Sequence, residues 1–348
     1  MDPLTQATLG AAVGHAGFYR RLGMASVTIG AFAGAFPDID TLASAFAGPF
    51  GRLQTHRGVT HSLLVIPFIS AAMGWLYWRW QSWPSEPSDP RLSRAGPWIA
   101  LVLAAMLSHP LLDLCTHYGT QLLAPLSRVR FTLSAIPVVD PLYSFMLAAG
   151  LAAALYWRRH RSAYWLTTVA LVVSTAYLSI GVRINVAAAE NAAIQLRDAG
   201  IDNVEVHAFP TMLQLPYRRL VAITPAEIRV GYISMWRPCA VDWDVAPAVS
   251  DRDAQALRAT PEGQIFIWFT GDLLATKITR ENGQRIVELG DLRYGFDRDA
   301  TTGMWAMRGR FDARGKLLAP PERIDNRPDP NWENIGNLWR SAFPSQCP

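Results

Sequence analysis

The sequence predicts a polytopic α-helical membrane domain of about five spans over residues 1–182, followed by a soluble α+β domain with a mainly antiparallel sheet over residues 183–348. Of the 348 residues, 50% are hydrophobic and 17% are charged, and most charges lie in the second half. Long apolar runs fill the first half, whereas charged, Pro and Gly residues separate short apolar stretches after residue 182. A chain of this length accommodates two domains.

Five apolar runs in the first half are candidate membrane spans. A helix needs roughly 20 apolar residues to cross a bilayer, with about 17 as a lower limit, and the last four runs reach that length. The first run is shorter and rich in Gly and Ala, which predicts a partial or protein-buried span packed closely against its neighbours. The runs cover residues 22–36, 61–78, 97–114, 141–157 and 164–182.

Aromatic residues flank these runs, and arginines cluster in alternate connections between them. Amphipathic rings concentrate at membrane interfaces, and arginines in short loops mark the cytoplasmic side. The pattern predicts a multi-pass protein of a bacterial-type inner (cytoplasmic) membrane with an extracytoplasmic C-terminal domain; the alternative is a soluble all-α protein, which the aromatic flanks disfavour. The residues concerned are Trp75, Tyr77, Trp78, Trp80, Trp83, Trp98, Tyr156, Trp157, Tyr164, Trp165, Arg20, Arg21, Arg79, Arg91, Arg94, Arg158, Arg159 and Arg161.

The net charge and the cysteines narrow the functional classes. The net charge of +4 comes largely from arginines beside apolar runs, so we interpret it as a topology signal and expect no nucleic-acid partner. The three cysteines do not form a zinc motif. Cys115 is predicted at a membrane edge, and Cys239 and Cys347 could pair in an oxidising compartment.

Four short segments hold nearly all the metal-binding residue types of the first half, and each lies at one end of an apolar run. They cover residues 37–40, 56–62, 109–117 and 140–141. The arginine pattern places all four at the non-cytoplasmic ends of their spans. This clustering predicts one metal site at one membrane face, with the ligands Asp38, Asp40, His56, His61, His109 and Asp113.

The spacing within the third segment is helical. His109 and Asp113 are four residues apart and His117 is four further on, so a continuing helix would present all three on one face. A His–carboxylate pair at this spacing can chelate one ion. Such residues near a span are costly unless they face a polar cavity or a partner. The alternative for His109 is a hydrogen bond to a carboxylate that only ties helices together.

Two aspartates follow Pro37 in a segment predicted to be extended or a turn. Without a cation, Asp38 and Asp40 would repel and raise each other's pKa. A helix cap would explain one of the two carboxylates but not readily both.

His56 and His61 are five residues apart, which is not a same-face helical spacing. Gly58 is therefore predicted to let a loop fold both rings toward one point before Thr60 or His61 begins the next helix. Arg57 between them is predicted to present its planar guanidinium to a phosphate or carboxylate.

Imidazole and carboxylate ligation without a thiolate suits a divalent metal ion, with Zn²⁺ preferred and Mn²⁺ or Fe as alternatives. An incomplete protein shell would leave room for an activated water.

The polar, cationic loop 118–140 is interpreted either as a solvated re-entrant loop or as a lid that meets an anionic head group. Asp140 is a ligand, a supporting partner of a ligand or only a helix cap. Possible supporting or substrate-binding residues are His117, Asp140, Thr60, Gln121, Arg128 and Arg130.

The first half resembles the YdjM family of inner-membrane, metal-dependent hydrolases over about residues 1–180. The resemblance rests on Met1-Asp2-Pro3-Leu4-Thr5, Pro37-Asp38-Ile39-Asp40, His56-Arg57-Gly58-Val59-Thr60-His61-Ser62, Ser108-His109-Pro110-Leu111-Leu112-Asp113 and Tyr118-Gly119-Thr120-Gln121-Leu122-Leu123-Ala124-Pro125-Leu126-Ser127, in this order and spacing. It implies an integral membrane protein whose motif His and Asp residues are ligands. Gln6 stands where many members have His, which weakens the case for a ligand in the amino-terminal segment.

The second half has the pattern of an α+β domain. An Ala-rich helix over residues 184–199 is followed by predicted strands at 204–207, 227–232, 264–269 and 304–307. No nucleotide-binding loop, nucleophile elbow or Cys-x-x-Cys pair is present. The domain could shape access to the membrane site, bind a partner or bind a polymer.

The sequence favours a membrane-embedded metal-dependent hydrolase that acts on a phosphoester or lipid-linked substrate at the non-cytoplasmic face. Asp38, Asp40 or Asp113 would take a proton from water, and Arg57 would hold an amphiphilic, anionic substrate. Membrane lipids are the expected partners. The alternative is a non-catalytic membrane protein with a structural metal or polar cluster and a partner-binding external domain. A transporter is disfavoured because the polar residues gather at one face instead of at mid-membrane.

Overall fold

The computed structural model describes residues 1–82, 94–158, 160, 162–295, 298–327 and 332–347. Its backbone contacts divide the chain into two compact units. The first comprises Met1–Phe46 and Thr55–Val182, and the second comprises Ala47–Gln54 and Arg183–Pro348. Four residues of the predicted topology pattern lie outside the described residues: Trp83, Arg91, Arg159 and Arg161.

Among the described residues up to Asp198, most lie in helices, and the longest connection without an α-helix covers residues 115–140. Asp2 caps the first helix by accepting the backbone N–H of Thr5 at 2.9 Å, and a Pro in the first turn suits a position whose N–H has no helical partner. The helices are α1 (Pro3–Leu22), α2 (Ala25–Ala35), α3 (Asp40–Ser44), α4 (Gly48–Thr55), α5 (Ile66–Gln81), α6 (Gly96–Leu114), α7 (Pro141–Tyr156) and α8 (Ala163–Asp198), with 3-10 helices at Phe36–Ile39 and Val59–His61.

Among the described residues, two helices are long and apolar enough to cross a membrane, namely Gly96–Leu114 and Trp165–Asp198. A third crossing is added if Gly48–His61 and Ile66–Gln81, which are bent by 63°, form one broken span. The 16 residues of α7 extend about 24 Å, short of the roughly 30 Å of a bilayer core. The expectation of about five spans is therefore not confirmed. Residues 164–182 and 184–199, predicted as separate helices, belong to the single helix α8.

Glycines let α1 and α2 approach at backbone distance. A Cβ on Gly10 would lie 2.1 Å from the carbonyl oxygen of Gly30, and one on Gly14 would lie 2.0 Å from that of Ser26. A Cβ on Gly34 would lie 2.7 Å from the carbonyl oxygen of Gln6. This confirms the predicted close packing of the first apolar run through its small residues.

An apolar cluster holds α6 against α2 and the start of α5. It contains Ala33, Ile66, Val102, Ala105 and Met106, all of them buried. The packing brings the C-terminal end of α2 beside the last turns of α6. The polar residues of both helix ends therefore meet at the same end of the first unit.

The described part of the second unit contains two four-stranded antiparallel sheets, which confirms the predicted class of sheet. One has the order β1-β2-β3-β4 and the other β5-β6-β7-β8. Buried Phe209, Val221 and Val230 of the first sheet share an apolar cluster with Ala275 of the second. The strands are β1 (Glu205–Pro210), β2 (Tyr217–Ile223), β3 (Glu227–Ser234), β4 (Asp244–Pro247), β5 (Leu274–Glu281), β6 (Gln284–Asp291), β7 (Trp305–Phe311) and β8 (Glu322–Asp325), with helices α9 (Arg252–Arg258), α10 (Pro261–Thr270) and α11 (Trp332–Ala342).

One predicted strand is wrong. Residues 264–269 lie in α10, which Thr260 caps by accepting the N–H of Gly263 at 3.0 Å. The helix ends at Gly271, whose φ of 66° is left-handed. These capping residues outweigh the β propensity of the apolar and aromatic run between them.

The cysteines divide into one pair and one free thiol. A disulfide joins Cys239 to Cys347, with the two Cα atoms 5.6 Å apart. Cys115 is free and buried. The bond ties the segment after β3 to the C-terminal end of the chain.

Candidate metal centre

Four side chains from two 3-10 helices and α6 meet at one point. One ligand atom of each of Asp38, His61, His109 and Asp113 lies within 4.8 Å of the other three. Nε2 of His61 is 3.6 Å from Asp38 Oδ1 and 3.4 Å from Asp113 Oδ2. Nε2 of His109 is 3.4 and 3.5 Å from the same two oxygens. Three of these side chains are fully buried, and Asp38 remains 13% exposed.

A backbone carbonyl fixes the tautomer of His109. Its Nδ1 lies 2.6 Å from the carbonyl oxygen of Gly34, at the end of α2. Because a carbonyl oxygen only accepts hydrogen bonds, Nδ1 must carry the hydrogen. The neutral ring then presents the lone pair of Nε2 to the centre, which is the usual arrangement of a metal-binding histidine.

The same reasoning fixes the tautomer of His61. Thr60 Oγ1 donates its only hydrogen to Asp40 Oδ2 at 3.1 Å, and the same hydroxyl oxygen lies 3.1 Å from His61 Nδ1. Nδ1 also lies 3.3 Å from Asp40 Oδ2. Both neighbours of Nδ1 are therefore acceptors, so Nδ1 carries a hydrogen, and the lone pair of the neutral ring is on Nε2.

Polar groups on both sides orient the carboxylate of Asp113. Gln6 Nε2 donates to Oδ1 at 3.1 Å, and the amino group of Met1 contacts the same oxygen. Arg57 Nε lies 3.0 Å from Oδ2, while Arg57 Nη1 donates to the Thr116 hydroxyl at 2.7 Å. Oδ2 is consequently the oxygen that faces the two imidazoles.

Asp40 and His56 form a polar pair beside the four converging residues. Asp40 Oδ1 lies 2.9 Å from His56 Nδ1, and Asp40 Oδ2 accepts the backbone N–H of Arg57 at 2.8 Å. The His56 side chain is 22% exposed, and its ring meets that of Tyr118 edge-on at 5.5 Å. Asp38, Asp40 and His56 also offer ligand atoms within 4.8 Å of one another.

The donor set fits a divalent cation. Two imidazole lone pairs and two carboxylate oxygens face one another, and no described residue hydrogen-bonds Nε2 of His61 or of His109. Buried acceptors that face one another are unfavourable without a cation between them. Ligands of tetrahedral zinc, with bonds of about 2.0–2.1 Å, lie about 3.4 Å apart, which is close to the observed separations.

The neighbouring imidazoles lower the pKa of the two carboxyl groups that follow α2. Burial by itself raises the pKa of Asp38, but the rings of His109 and His61, 3.4 and 3.6 Å away, outweigh burial when they are charged and leave the pKa below its usual range. Burial also raises the pKa of Asp40, and bonds with His56 and His61 again outweigh it. Both groups are therefore carboxylates at neutral pH, the form that binds a cation.

The local backbone differs from the prediction around Gly58. Arg57, not Gly58, adopts the left-handed conformation, with φ of 58°. Val59–His61 form a 3-10 helix, and the next α-helix begins at Ile66 instead of Thr60 or His61. The predicted extended or turn segment at Asp38 is a 3-10 helix. Both corrections have one cause, since the chain turns within few residues to bring both polar segments to α6.

The six predicted ligands lie in one connected cluster. Of the three residues predicted on one face of α6, only His109 and Asp113 share it, because the helix ends at Leu114 before His117. The guanidinium of Arg57 is only 2% exposed and is engaged with Asp113. Its contact with an anionic substrate stays a prediction.

The predicted supporting or substrate-binding residues lie at different places relative to the metal centre. Gln121 donates its backbone N–H to the carbonyl of Arg57 at 3.0 Å, and Arg130 donates to the carbonyl of Gly119 at 3.0 Å. Arg128 is exposed. Asp140 caps α7 and accepts the Tyr177 hydroxyl at 2.9 Å. Among the described residues, Asp140 belongs to neither group of potential ligands.

Sequence reasoning missed the groups that orient the ligands. The Gly34 carbonyl has no side-chain signal, although a Gly at the end of an apolar run indicates a close backbone approach. Thr116 lies three residues after Asp113, so the sequence does contain a hydroxyl next to the motif that could hold Arg57. Gln6, which weakens the case for a ligand in the amino-terminal segment, hydrogen-bonds the predicted ligand Asp113.

Apolar helices and a buried His–Asp cluster at their ends define a membrane protein with a candidate metal centre. Residues 1–186 match the family of YdjM inner membrane proteins. Because this match covers more than half of the chain, the protein belongs to that family. Comparisons with curated proteins and with solved structures found no match.

Proposed function

We propose that the protein is a membrane-embedded, metal-dependent hydrolase that acts on a phosphoester or lipid-linked substrate. The observation that carries this proposal is the set of four converging acceptor atoms from Asp38, His61, His109 and Asp113. Zinc suits these nitrogen and oxygen donors, with manganese or iron as alternatives. When bound, the ion supplies Lewis-acid polarisation of the scissile group and lowers the pKa of a water molecule.

His56 is the best-placed proton acceptor of the cluster. Asp40 fixes its Nδ1 at 2.9 Å, which leaves Nε2 to exchange a proton at the partly exposed side. A carboxylate that orients an imidazole in this way stabilises the charged ring. This assigns proton transfer to His56 with Asp40 as its positioning residue, while Asp38, His61, His109 and Asp113 hold the ion.

An amphiphilic substrate is supported by apolar side chains exposed on the segments that surround the centre. They include Val59 and Leu64 beside His61, and Leu123 and Leu126 in the loop after α6. Arg128 in the same loop is also exposed. Apolar contacts with acyl chains and a cation for the head group together suit a membrane lipid or another lipid-linked anion.

The proposed orientation puts the metal centre and the second unit on the non-cytoplasmic side. Arginines at the other ends of the helices support this orientation. The disulfide between Cys239 and Cys347 agrees with it, since disulfides persist in oxidising compartments.

A structural metal site is the second candidate, and one observation favours it. The converging group already supplies four protein ligands, three of them fully buried, and structural zinc sites have closed, four-coordinate shells. The hydrolase therefore requires a coordination position for water, which the partial exposure of Asp38 would permit.

An assay of full-length protein purified in detergent distinguishes the hydrolase from the structural metal site. Metal content is measured by mass spectrometry, and hydrolysis is measured on a panel of phosphoesters and phospholipids before chelation, after chelation and after metal return. The hydrolase predicts turnover that follows metal content. It also predicts that His56→Gln keeps the metal and lowers turnover by about 10²–10⁴-fold.

Asp140→Asn is the matched control for Asp38→Asn. Both remove the charge of an aspartate, but Asp140 caps α7 outside the cluster, and Asn still caps a helix. Asp38→Asn should lose metal and turnover, while Asp140→Asn keeps both. Stoichiometric metal without turnover on any substrate, in protein with a closed coordination shell, would establish the structural alternative.

A further inference from the structure

A polar cavity lies at the other end of the first unit, away from the metal centre. Its volume is about 590 Å³, and His15, Tyr19 and Arg20 of α1 line one side of it. Fourteen residues separate Gln6 from Arg20 along α1, which corresponds to about 21 Å. The cavity is therefore distinct from the cluster that Gln6 contacts.

His15 is a buried histidine that lines this cavity, and one of its two ring nitrogens has no hydrogen-bond partner among the described residues. The side chain of His15 is 2% exposed, and its Nδ1 lies 3.0 Å from the hydroxyl of Thr167. Among the described residues, no group hydrogen-bonds its Nε2. The ring stacks at a tilt on Tyr19, 4.5 Å between centroids. Because His15 lines the cavity, a ligand or water in it can complete the hydrogen bonding of Nε2.

The charge around the cavity is positive. Arg20, Arg158 and His160 contribute to its wall, and none of the described lining residues is acidic. Ala163, the first residue of α8, also lines it. The first turn of this long helix adds backbone N–H groups and the positive end of the helix dipole. These features favour an anion with several acceptor oxygens.

Aromatic side chains put this end of the unit at the depth of a membrane interface. Tyr156 and Trp157 at the end of α7 and Trp165 near the start of α8 are 81%, 49% and 55% exposed. Exposed amphipathic rings concentrate where acyl chains meet head groups. The cationic cavity between these helix ends is therefore at the level of lipid phosphates.

We propose that this cavity binds a phosphate group, supplied either by the head group of an anionic membrane lipid or by a soluble phosphoester. The arginines bind the phosphate oxygens as charged donors. His15 Nε2 binds a further oxygen from inside the cavity. The site serves binding, separately from the hydrolytic centre.

Native mass spectrometry of the full-length protein in detergent tests this proposal. Phosphatidylglycerol, phosphatidylcholine and inorganic phosphate are titrated separately, and phosphate is also titrated against bound lipid. The expected result is retention of phosphatidylglycerol over phosphatidylcholine. Competition by inorganic phosphate would identify a soluble phosphate source, and its absence would identify the lipid; either result supports the site.

The doubly substituted R20Q/R158Q protein should bind phosphatidylglycerol about tenfold more weakly, since it loses two charge-assisted contacts. R21Q/R79Q is the matched control, because it removes the same charge from arginines that do not line the cavity. His15→Phe keeps an aromatic ring but removes Nε2 and the Nδ1 that contacts Thr167, and it should also weaken binding. All variants should keep the metal content of the parent, which shows that they fold. Equal weakening in R20Q/R158Q and R21Q/R79Q, or equal binding of the two lipids together with no binding of inorganic phosphate, would overturn the proposal.

Discussion

Gly10→Ala should disturb the metal centre through the packing of α1 on α2. The added Cβ would lie 2.1 Å from the carbonyl oxygen of Gly30 and 2.8 Å from the Cα of Gly34. Ordinary contacts of about 3.5 Å require the helices to separate by more than about 1 Å. The 2.6 Å contact between Gly34 and His109 Nδ1 would then exceed hydrogen-bond length. Loss of such a supporting contact lowers metal affinity by about 10–100-fold.

Gly17→Ala is the matched control, since a Cβ at Gly17 in the same helix meets nothing within 4 Å. Affinity is measured by competition between the purified protein and a chelator of known strength, and folding is followed by thermal unfolding in detergent. Gly10→Ala should also lower the unfolding temperature, because overpacking costs roughly 1–3 kcal/mol. If Gly10→Ala binds metal as tightly as Gly17→Ala, the Gly34 carbonyl does not position His109 as described.

The remaining predictions concern the supporting carboxylate, a helix cap and the disulfide. Asp40→Asn removes the charge beside His61 and His56 and should weaken metal binding by about 10–100-fold in the same chelator competition. Thr260→Ala removes the cap of α10 and should lower the free energy of unfolding by about 1 kcal/mol, read as a lower unfolding temperature. In intact cells, a membrane-impermeant maleimide should label Cys239 only after reduction; labelling that requires cell lysis would contradict the extracytoplasmic assignment.

Much of the candidate site could be predicted because its ligands follow short-range rules. The four-residue spacing of His109 and Asp113 on an apolar helix places them on one face whatever the rest of the fold does. Asp38 and His61 each lie in a polar segment at the end of an apolar run, and this position predicted that both converge on the same face. What could not be predicted is which nitrogen of each ring faces the centre, since Gly34 contributes only a backbone carbonyl.

The errors in the fold have local physical causes. The run at 264–269 has the composition of a buried strand, and only Thr260 before it and Gly271 after it indicate a helix. The count of about five spans is not confirmed, since apolar length was counted without the turn at Val59–His61, after which α5 begins only at Ile66. Apolar composition therefore predicted the membrane class, while the number of crossings depended on where each helix begins.

X-ray absorption at the metal edge, measured on protein purified without added metal, identifies the ligands of the ion itself. We expect one tightly held divalent ion with two imidazole and two carboxylate ligands at about 2.0–2.2 Å. In His109→Gln, the imidazole scattering per ion should fall by half or the ion should be lost. Protein that folds and contains no metal, or an ion whose ligand signal is unchanged in His109→Gln, would contradict the assignment.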